Sequence, residues 1–526
     1  MDKEEKLQTY DNLVSWPQFK LKLALEGVLV GVGSGCLIGF YRFALGLADS
    51  KRLDLYAFFQ TAEHWYVACW AVGLVLMAWL IDKLVNFAPL AGGSGIPQIM
   101  ANIRGISVGN WWRTIVAKIT SCIMAVTAGL SLGREGPSIQ LGGMVGQGVS
   151  RIFHRSRMEE HCLVSSGAGA GLAAAFNAPM ASVMFTMEVM HKSLSAVVLL
   201  PTLVAALTST LVARIFFGRQ TIFAIPKMPF VEVDTLPQLL VLGIFTGFAG
   251  FFFNKVMLAG GKIYKAKFFK NNFSRYLFPL LLTIPVGFIL PQIMGGGDVV
   301  VEHLVAGHAT FQLVLIVLVA KLLFTMLSAC SGVPGGSLQP MLVMGALCGY
   351  IFGLVAMNLG FMEPDYLLNC IVFGMAGFFA ASVRAPLTGI LLVLELTGSF
   401  THLVAVALVT LFAYSTASFC NGQPIYDVML EKFLAGDVTQ ENMAKLAQRR
   451  NIMDMPVESG SLAEGKSIEQ IAWPGNALVV AVKRGEKDII PNGQTLLMAG
   501  DYLYIVANID AALAIRALFQ KKPNLT

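Results

Sequence analysis

Residues 131–143 read SLGREGPSIQLGG, which sets an arginine and a glutamate side by side, Arg134 and Glu135, in an almost wholly apolar stretch. On insertion scales a charge at a bilayer centre costs about 3 kcal/mol, so in a membrane something must offset this pair. The surrounding composition puts it in one. Hydrophobic residues are 56% of the chain and charged residues 13%, far from the balance of a soluble globular protein. Apolar runs fill most of 21–429, several of them long enough to cross a bilayer at about 1.5 Å per residue. Many are broken by Gly or Pro. The expected fold class is an all-α polytopic membrane protein.

Residues 1–22 are polar and lack the short apolar core and small-residue cleavage site of a signal peptide, so the chain is expected to start in the cytoplasm. Two basic clusters read as cytoplasmic loops: Arg151, Arg155 and Arg157, and Lys262, Lys265, Lys267, Lys270 and Arg275. They account for the net charge of +6 without any nucleic-acid polymer as partner. The eight cysteines are scattered singly, with no C-x-x-C pair, and read as small buried hydrophobes rather than a disulfide frame or metal site.

Composition shifts near Glu431. The expected domains are a transmembrane part over 1–430, a polar helical linker over 431–453 and a small soluble α+β domain over 454–526. The last has strand-like runs at 477–482 and 502–507, turn signals at Arg484-Gly485 and Asn492-Gly493, and a helix-like run at 510–519. At roughly seventy residues it is near the smallest size that folds alone, so pairing would help it.

The membrane part contains an internal repeat. NAPMASVMFTMEV (177–189) aligns with RAPLTGILLVLEL (384–396), and GREGPSIQL (133–141) with GVPGGSLQP (332–340), at offsets of 207 and 199 residues. The sequence leaves open whether the halves are parallel or inverted. Duplicated halves with Gly/Pro-interrupted segments point to a secondary transporter or related channel, with its site where broken helices meet. Three such interruptions occur: GGSGIPQ (92–98), GREGPS (133–138) and GVPGGSLQP. Glycine there permits positive φ and close approach, and proline can open a new helix. A helix starting at membrane depth presents free amide hydrogens and a positive dipole end, a ready anion site. Such backbone is tolerable only where it is buried or lines a cavity.

GSGIP, GREGP, the third glycine motif and the later GQPIYD together resemble the signatures of the CLC chloride channels and chloride/proton antiporters. The resemblance spans nearly the whole membrane part and implies a fold of two inverted halves of tilted and broken helices. It also implies a homodimer whose subunits each carry a pore. Residue by residue, Glu135 is similar to the family's gating glutamate, which as a carboxylate occupies the outer anion site and leaves when protonated. An ion pair with neighbouring Arg134 is the weaker reading, because adjacent residues point differently on a helix. Ser94 resembles the serine whose hydroxyl donates to chloride. Nitrate-coupled relatives tend to have proline there and fluoride exporters methionine, so serine favours chloride. Tyr426 resembles the tyrosine that closes the same site from the cytoplasmic side. Gly95, Ile96, Arg134, Gly136 and the amides at Ser337 and Leu338 would complete the anion cradle.

Two departures stand out. The third motif, usually closer to GGIFAP, is here GGSLQP, so Ser337, Leu338 and Gln339 alter the vestibule. The well-studied antiporters carry two successive acids where this chain has Glu188 and Val189, and the second is their inner proton relay. Valine cannot carry a proton. Glu188 is left between a structural role at a helix end and a place in the proton route, and its repeat mate Glu395 is assigned to structure.

The stretch from Gly465 to Ala507 resembles a TrkA-C (RCK C-terminal) regulatory domain. Such domains often pair and bind small regulators, some of them cyclic di-AMP, and a two-fold ligand suits a two-fold interface. Arg484 could meet a phosphate and Ile489, Ile490 and Pro491 an adenine. Against this, DIIP reads equally well as a buried strand with an edge proline.

Other classes fit less well. GGSGI fails the G-x-S-x-G pattern of a serine hydrolase because Ile96 replaces the second glycine, and no TVGYG-like potassium filter occurs. The chain is therefore expected to be no enzyme and to need no cofactor or metal. It should be a lipid-embedded chloride transporter of a bacterial cytoplasmic membrane, both termini in the cytoplasm, gated by Glu135 and coupled to protons. A passive channel stays open as the alternative.

Overall fold

The computed structural model describes residues 16–107, 109–218, 225–226, 228–266, 269, 271–307, 309–437, 450–474, 477–484, 487–508, 511, 515 and 518–519. The chain divides after Phe433 into two units.

The duplication is visible helix by helix. In the first half, α1 (Trp16–Thr61), α2 (His64–Phe87), α3 (Ile96–Ile103), α4 (Trp111–Ala128), α5 (Glu135–Ile152), α6 (Arg157–Phe176), α7 (Pro179–Phe185) and α8 (Ala196–Phe217) follow one another. The second half repeats them in order as α9 (Leu236–Ile263), α10 (Asn272–Ile289), α11 (Asp298–Val305), α12 (Phe311–Cys330), α13 (Leu338–Asn358), α14 (Leu367–Val383), α15 (Pro386–Thr397) and α16 (Leu403–Phe419). A final helix, α17 (Ile425–Asp437), carries the GQPIYD tyrosine. Eight helices among the described residues are long and apolar enough to cross a membrane. Their outward apolar side chains, such as Ile215 and Ile289, are largely exposed in the chain alone, as lipid-facing positions are.

Local chemistry fixes the equivalences. Asn177 and Arg384 end α6 and α14 in the left-handed conformation (φ 56° and 66°), and Ala178 and Ala385 then take nearly the same dihedrals (−127°, 76° and −128°, 77°). Pro179 and Pro386 open the next helices at positions where no amide hydrogen is needed. Gly95 and Gly297, at φ 99° and 97°, open α3 and α11 in the same way.

The GREGP repeat needs a correction. α5 begins at Glu135 with Pro137 in its first turn, and α13 begins at Leu338 with Pro340 in the same place, so GREGP matches GSLQP, not GVPGG. The sequence alignment was four residues out because Gly, Pro and Ser recur throughout this loop.

The halves are inverted. Equivalent residues Gly133 and Gly336 exchange backbone hydrogen bonds (2.6 and 2.8 Å) in an antiparallel bridge. α7 and α15 cap each other's starts, as antiparallel mates do. Glu188, just past α7, accepts from the Leu387 and Thr388 amides, and Glu395 near the end of α15 accepts from those of Met180 and Ala181.

Small residues bring the helices together. A β-carbon on Gly142 of α5 would collide with the Gly167 carbonyl of α6, and Gly345 of α13 comes within 2.7 Å of the Gly374 carbonyl of α14 by the same measure. One fully buried lysine ties down a loop in each half. Lys118 donates to the Ala91 and Gly93 carbonyls (3.0 and 2.7 Å), and Lys321 to those of Ile293 and Gly295 (both 2.9 Å). All eight cysteines are free. Cys122, Cys162, Cys348 and Cys370 are buried as expected, whereas Cys36 and Cys69 are exposed on the apolar surface.

The second unit is an antiparallel sheet in the order β1-β4-β2-β3, from β1 (Arg450–Pro456), β2 (Leu478–Arg484), β3 (Lys487–Ile489) and β4 (Tyr502–Asn508). One face buries Val479, Val482, Leu503 and Ile505 against Leu497, Ile515 and Phe519. The other leaves Leu478, Val480, Tyr502 and Tyr504 exposed. β2 and β4 are the two strands read from the sequence. β1 starts at Arg450, inside the stretch assigned to the linker, and residues 438–449 and most of the helix-like run at 510–519 lie outside the described residues.

Gly167→Ala should overpack the α5–α6 contact and destabilise the protein by about 1–3 kcal/mol. Gly46→Ala, where nothing lies within 4 Å, should leave thermal stability in detergent unchanged or slightly raised.

Candidate functional site

Three broken-helix loops, far apart in sequence, are stitched together by backbone hydrogen bonds. The Gly93 amide donates to the Gly332 carbonyl (2.9 Å), and Gly335 donates back to Gly93 (3.1 Å). The Gly133–Gly336 bridge joins the other pair. Only a glycine at 136 fits here, since a β-carbon would stand 2.6 Å from the Ser94 carbonyl and 2.8 Å from its hydroxyl.

The bridge therefore gathers the starts of α3, α5 and α13. Their first amides have no intrahelical partner. The residues preceding α5 and α13, Arg134 and Ser337, give no side-chain cap. Gly95, Ile96, Gly136 and Leu338 are buried and contribute backbone only.

Polar atoms converge on the same place without protein partners. The Ser94 and Ser337 hydroxyls, the Tyr426 phenol and both carboxylate oxygens of Glu135 are buried and lack a hydrogen bond. Buried polar groups are nearly always bonded, so several orphans together mark where a polar ligand belongs. Serine and tyrosine hydroxyls and helix-start amides can all donate to one point, an arrangement that suits an anion. Glu135 is fully buried. Arg134 Nε stands 3.9 Å from Glu135 Oε1, an ion-pair contact too long for a hydrogen bond, and that nitrogen has no hydrogen-bond partner. The Tyr426 ring packs edge-on against Phe185 at 6.2 Å, with Ser337 as its polar neighbour.

Glu188 is engaged elsewhere. Its carboxylate accepts from the Leu387 amide (3.2 Å) and from the Thr388 amide and hydroxyl (both 2.8 Å), capping α15. It borders a cavity of about 340 Å³ lined also by Val189, Lys192, Arg384, Tyr426 and Asp427. Lys192 and Asp427 form an ion pair there. The sequence reading missed both, although Asp427 directly follows Tyr426 in GQPIYD.

In the sheet domain the four residues assigned to a regulatory ligand lie on and just after the β2–β3 hairpin. Arg484 donates to both oxygens of buried Asp501 (2.7 and 2.8 Å) and to the Leu496 carbonyl (2.7 Å). Ile489 packs at the core edge, Ile490 is 93% exposed and Pro491 is half-buried. Burial pushes the Asp501 carboxyl up, but the Arg484 hydrogen bonds, the Met498 amide and the Arg484 charge outweigh it and hold it below the usual range.

A model of the voltage gated chloride channel family matches residues 73–418, and one of the TrkA-C domain matches 452–520. The chain is 33% identical over 454 residues to the H(+)/Cl(-) exchange transporter ClcA of Klebsiella pneumoniae, covering 84% of this chain and 95% of that one. It is 36% identical over 426 residues to ClcA of Vibrio campbellii, covering 78% and 89%. The crystal structure of a slow cyanobacterial Cl-/H+ antiporter superposes with a TM-score of 0.73 at 29% identity, covering 79% of this chain and 98% of that one.

Glu188→Ala and Glu395→Ala should each destabilise the protein by about 0.5–2 kcal/mol, the range for losing a helix cap, as read by thermal unfolding in detergent. Because Asp501 is depressed in the folded chain, its stabilisation is complete above its unfolded value of about 4 and is lost as pH falls through the folded one. Amide protection across 502–508 in the full-length protein should fall over that acidic window, and in Asp501→Asn it should be low throughout.

Proposed function

This chain belongs to the voltage-gated chloride channel family, and from that footing we propose that it exchanges chloride for protons across a membrane with Glu135 as its gate. The observation that carries the reading is the Glu135 carboxylate, buried without a hydrogen bond among helix-start amides and the orphan hydroxyls of Ser94, Ser337 and Tyr426. An ionised carboxylate occupies a place suited to a halide. Protonation removes its charge, and with it the attraction of the amides, so the side chain yields its place to chloride. Chloride bound there would take hydrogen bonds from Ser94 and Tyr426, with the amides of Gly95, Ile96, Gly136, Ser337 and Leu338 lending dipole.

Proton coupling is supported by the relatives, which are named as chloride/proton exchangers. Val189 favours a second reading, a passive chloride channel, because it offers no group for an inner relay. Under exchange, protons pass Val189 by way of water in the cavity beside Tyr426, and Glu188 serves chiefly as the cap of α15.

A transporter of this kind catalyses no covalent chemistry. In this reading the loops that hold the basic clusters, and both termini, face the cytoplasm of a bacterial inner membrane, which the basic residues and the regulatory tail support. The subunits pair, each with its own pathway. The exposed apolar face of Leu478, Val480, Tyr502 and Tyr504 supports pairing of the regulatory domains as well. A small regulator such as cyclic di-AMP would bind at that dimer, although Arg484 must first release Asp501 to meet its phosphate.

Purified protein in liposomes, under a chloride gradient with voltage clamped by potassium, should drive protons uphill, and Glu135→Gln should abolish that movement. Chloride flux with no uphill protons in the unaltered protein would establish the channel instead. Added cyclic di-AMP should bind and change the flux; neither effect would remove the ligand from the reading.

A further inference from the structure

The second half carries a counterpart of the Ser94 loop that is filled by its own side chains. Gly295, Gly296, Gly297 and Asp298 stand where Gly93, Ser94, Gly95 and Ile96 stand in the first half. Each loop opens an eight-residue helix through a glycine at nearly the same φ, and each is held by a buried lysine, Lys321 or Lys118. In the first half Gly136 leaves room for Ser94. Its equivalent on α13 is Gln339, whose amide group lies within 2.5–2.7 Å of where a Gly296 β-carbon would be, and which donates to Asp298. Asp298 in turn feels the charges of Lys321 on α12 and of Arg42 and Asp49 on α1.

Gln339 has a second neighbour. A β-carbon on Gly133 would collide with Glu135 Oε2 and come within 2.9 Å of Gln339 Cβ, so the carboxylate and the glutamine stem lie over the same glycine. Gln339 is 2% exposed, and its amide is tied to Asp298, so the stem cannot swing aside. The motif that the chain resembles has alanine at this position. Glu135 also feels the charges of Arg134, Arg42 and Asp298, faces the phenols of Tyr41 and Tyr426, and has the Gln339 backbone amide turned toward it, but of these only Gln339 adds a wall of side chain beside the carboxylate.

We propose that Gln339, fixed by Asp298, is a positioning residue of the gate: it walls one side of the Glu135 carboxylate and slows that side chain's departure from the anion site. The proposal rests on Glu135 being the gate. It never requires Gln339 to touch chloride.

The test is a double-mutant comparison of chloride efflux from liposomes holding the full-length protein. Gln339→Ala should raise turnover at least about twofold, the low end of coupling between contacting residues. In a Glu135→Gln background, where no carboxylate gates the site, the same substitution should change turnover by less than that. Gln339→Ser, which shortens the stem in the same way but keeps a polar group, should act in the same direction and supplies the same comparison if Gln339→Ala does not fold; Asp298→Ala is unsuitable because the Asp298 charge itself acts on Glu135. Equal changes in both backgrounds, or none in the unaltered one, would overturn the positioning role alone. A Glu135→Gln protein whose chloride flux keeps the original pH dependence would instead sink the gate reading, and this inference with it.

Discussion

The rest of the membrane unit depends on one pair of hydrogen bonds, the reciprocal bridge between Gly133 and Gly336. The bridge sits where the two halves meet as mates, so whatever one glycine does the other does in reverse. It sets the starts of α5 and α13 facing a common point, and Gly93 brings α3 to the same point through its bonds to Gly332 and Gly335. No side chain fits at either glycine. A β-carbon on Gly133 would strike Glu135, and one on Gly336 would come within 2.9 Å of the Gly136 amide. Glycine here is a matter of space rather than of backbone freedom, since neither residue has positive φ.

Around that point the interior spends its charges on backbone. Lys118 and Lys321 donate to loop carbonyls, and Glu188 and Glu395 accept from helix-start amides. Glu159 and Glu26 pair with Lys22 and Arg155. Among the described residues, Glu135 is the buried acid with both oxygens unbonded. That contrast, more than burial itself, is what sets Glu135 apart from the acids that serve as struts.

Much of this was legible in the sequence, because glycine and proline at a helix start declare their geometry locally. The three loops and the buried glutamate could be named from their own few neighbours, whereas the serine and the tyrosine were singled out by their resemblance to the family's motifs. What could not be read was anything set by a partner one repeat away. The alignment of GREGP slipped by four residues because the text around Gly332 is as small and polar as the text around Gly336, and only the bridge distinguishes them. Glu188 looked ambiguous because its partners, Leu387 and Thr388, lie in the other half. Lys118 carries no local sign of its role, since nothing near it in the sequence reveals that it reaches back to Ala91 and Gly93. In the sheet domain Arg484 looked available to a phosphate, and Asp501, which occupies it, is 17 residues on.

The crossed capping of α7 and α15 has a consequence for synthesis. The Met180 amide finds its carboxylate 215 residues later in the chain. At about 5–20 residues per second, the ribosome needs roughly 10 to 40 seconds to make that stretch. Throughout that interval the first half is in the bilayer with the start of a short helix unsatisfied, and it cannot reach its final form alone. The newborn chain must therefore be sheltered by water, by its own neighbouring helices or by the insertion machinery until its second half arrives. An inverted repeat that finishes each half with the other's glutamate is two halves in sequence and one unit in assembly.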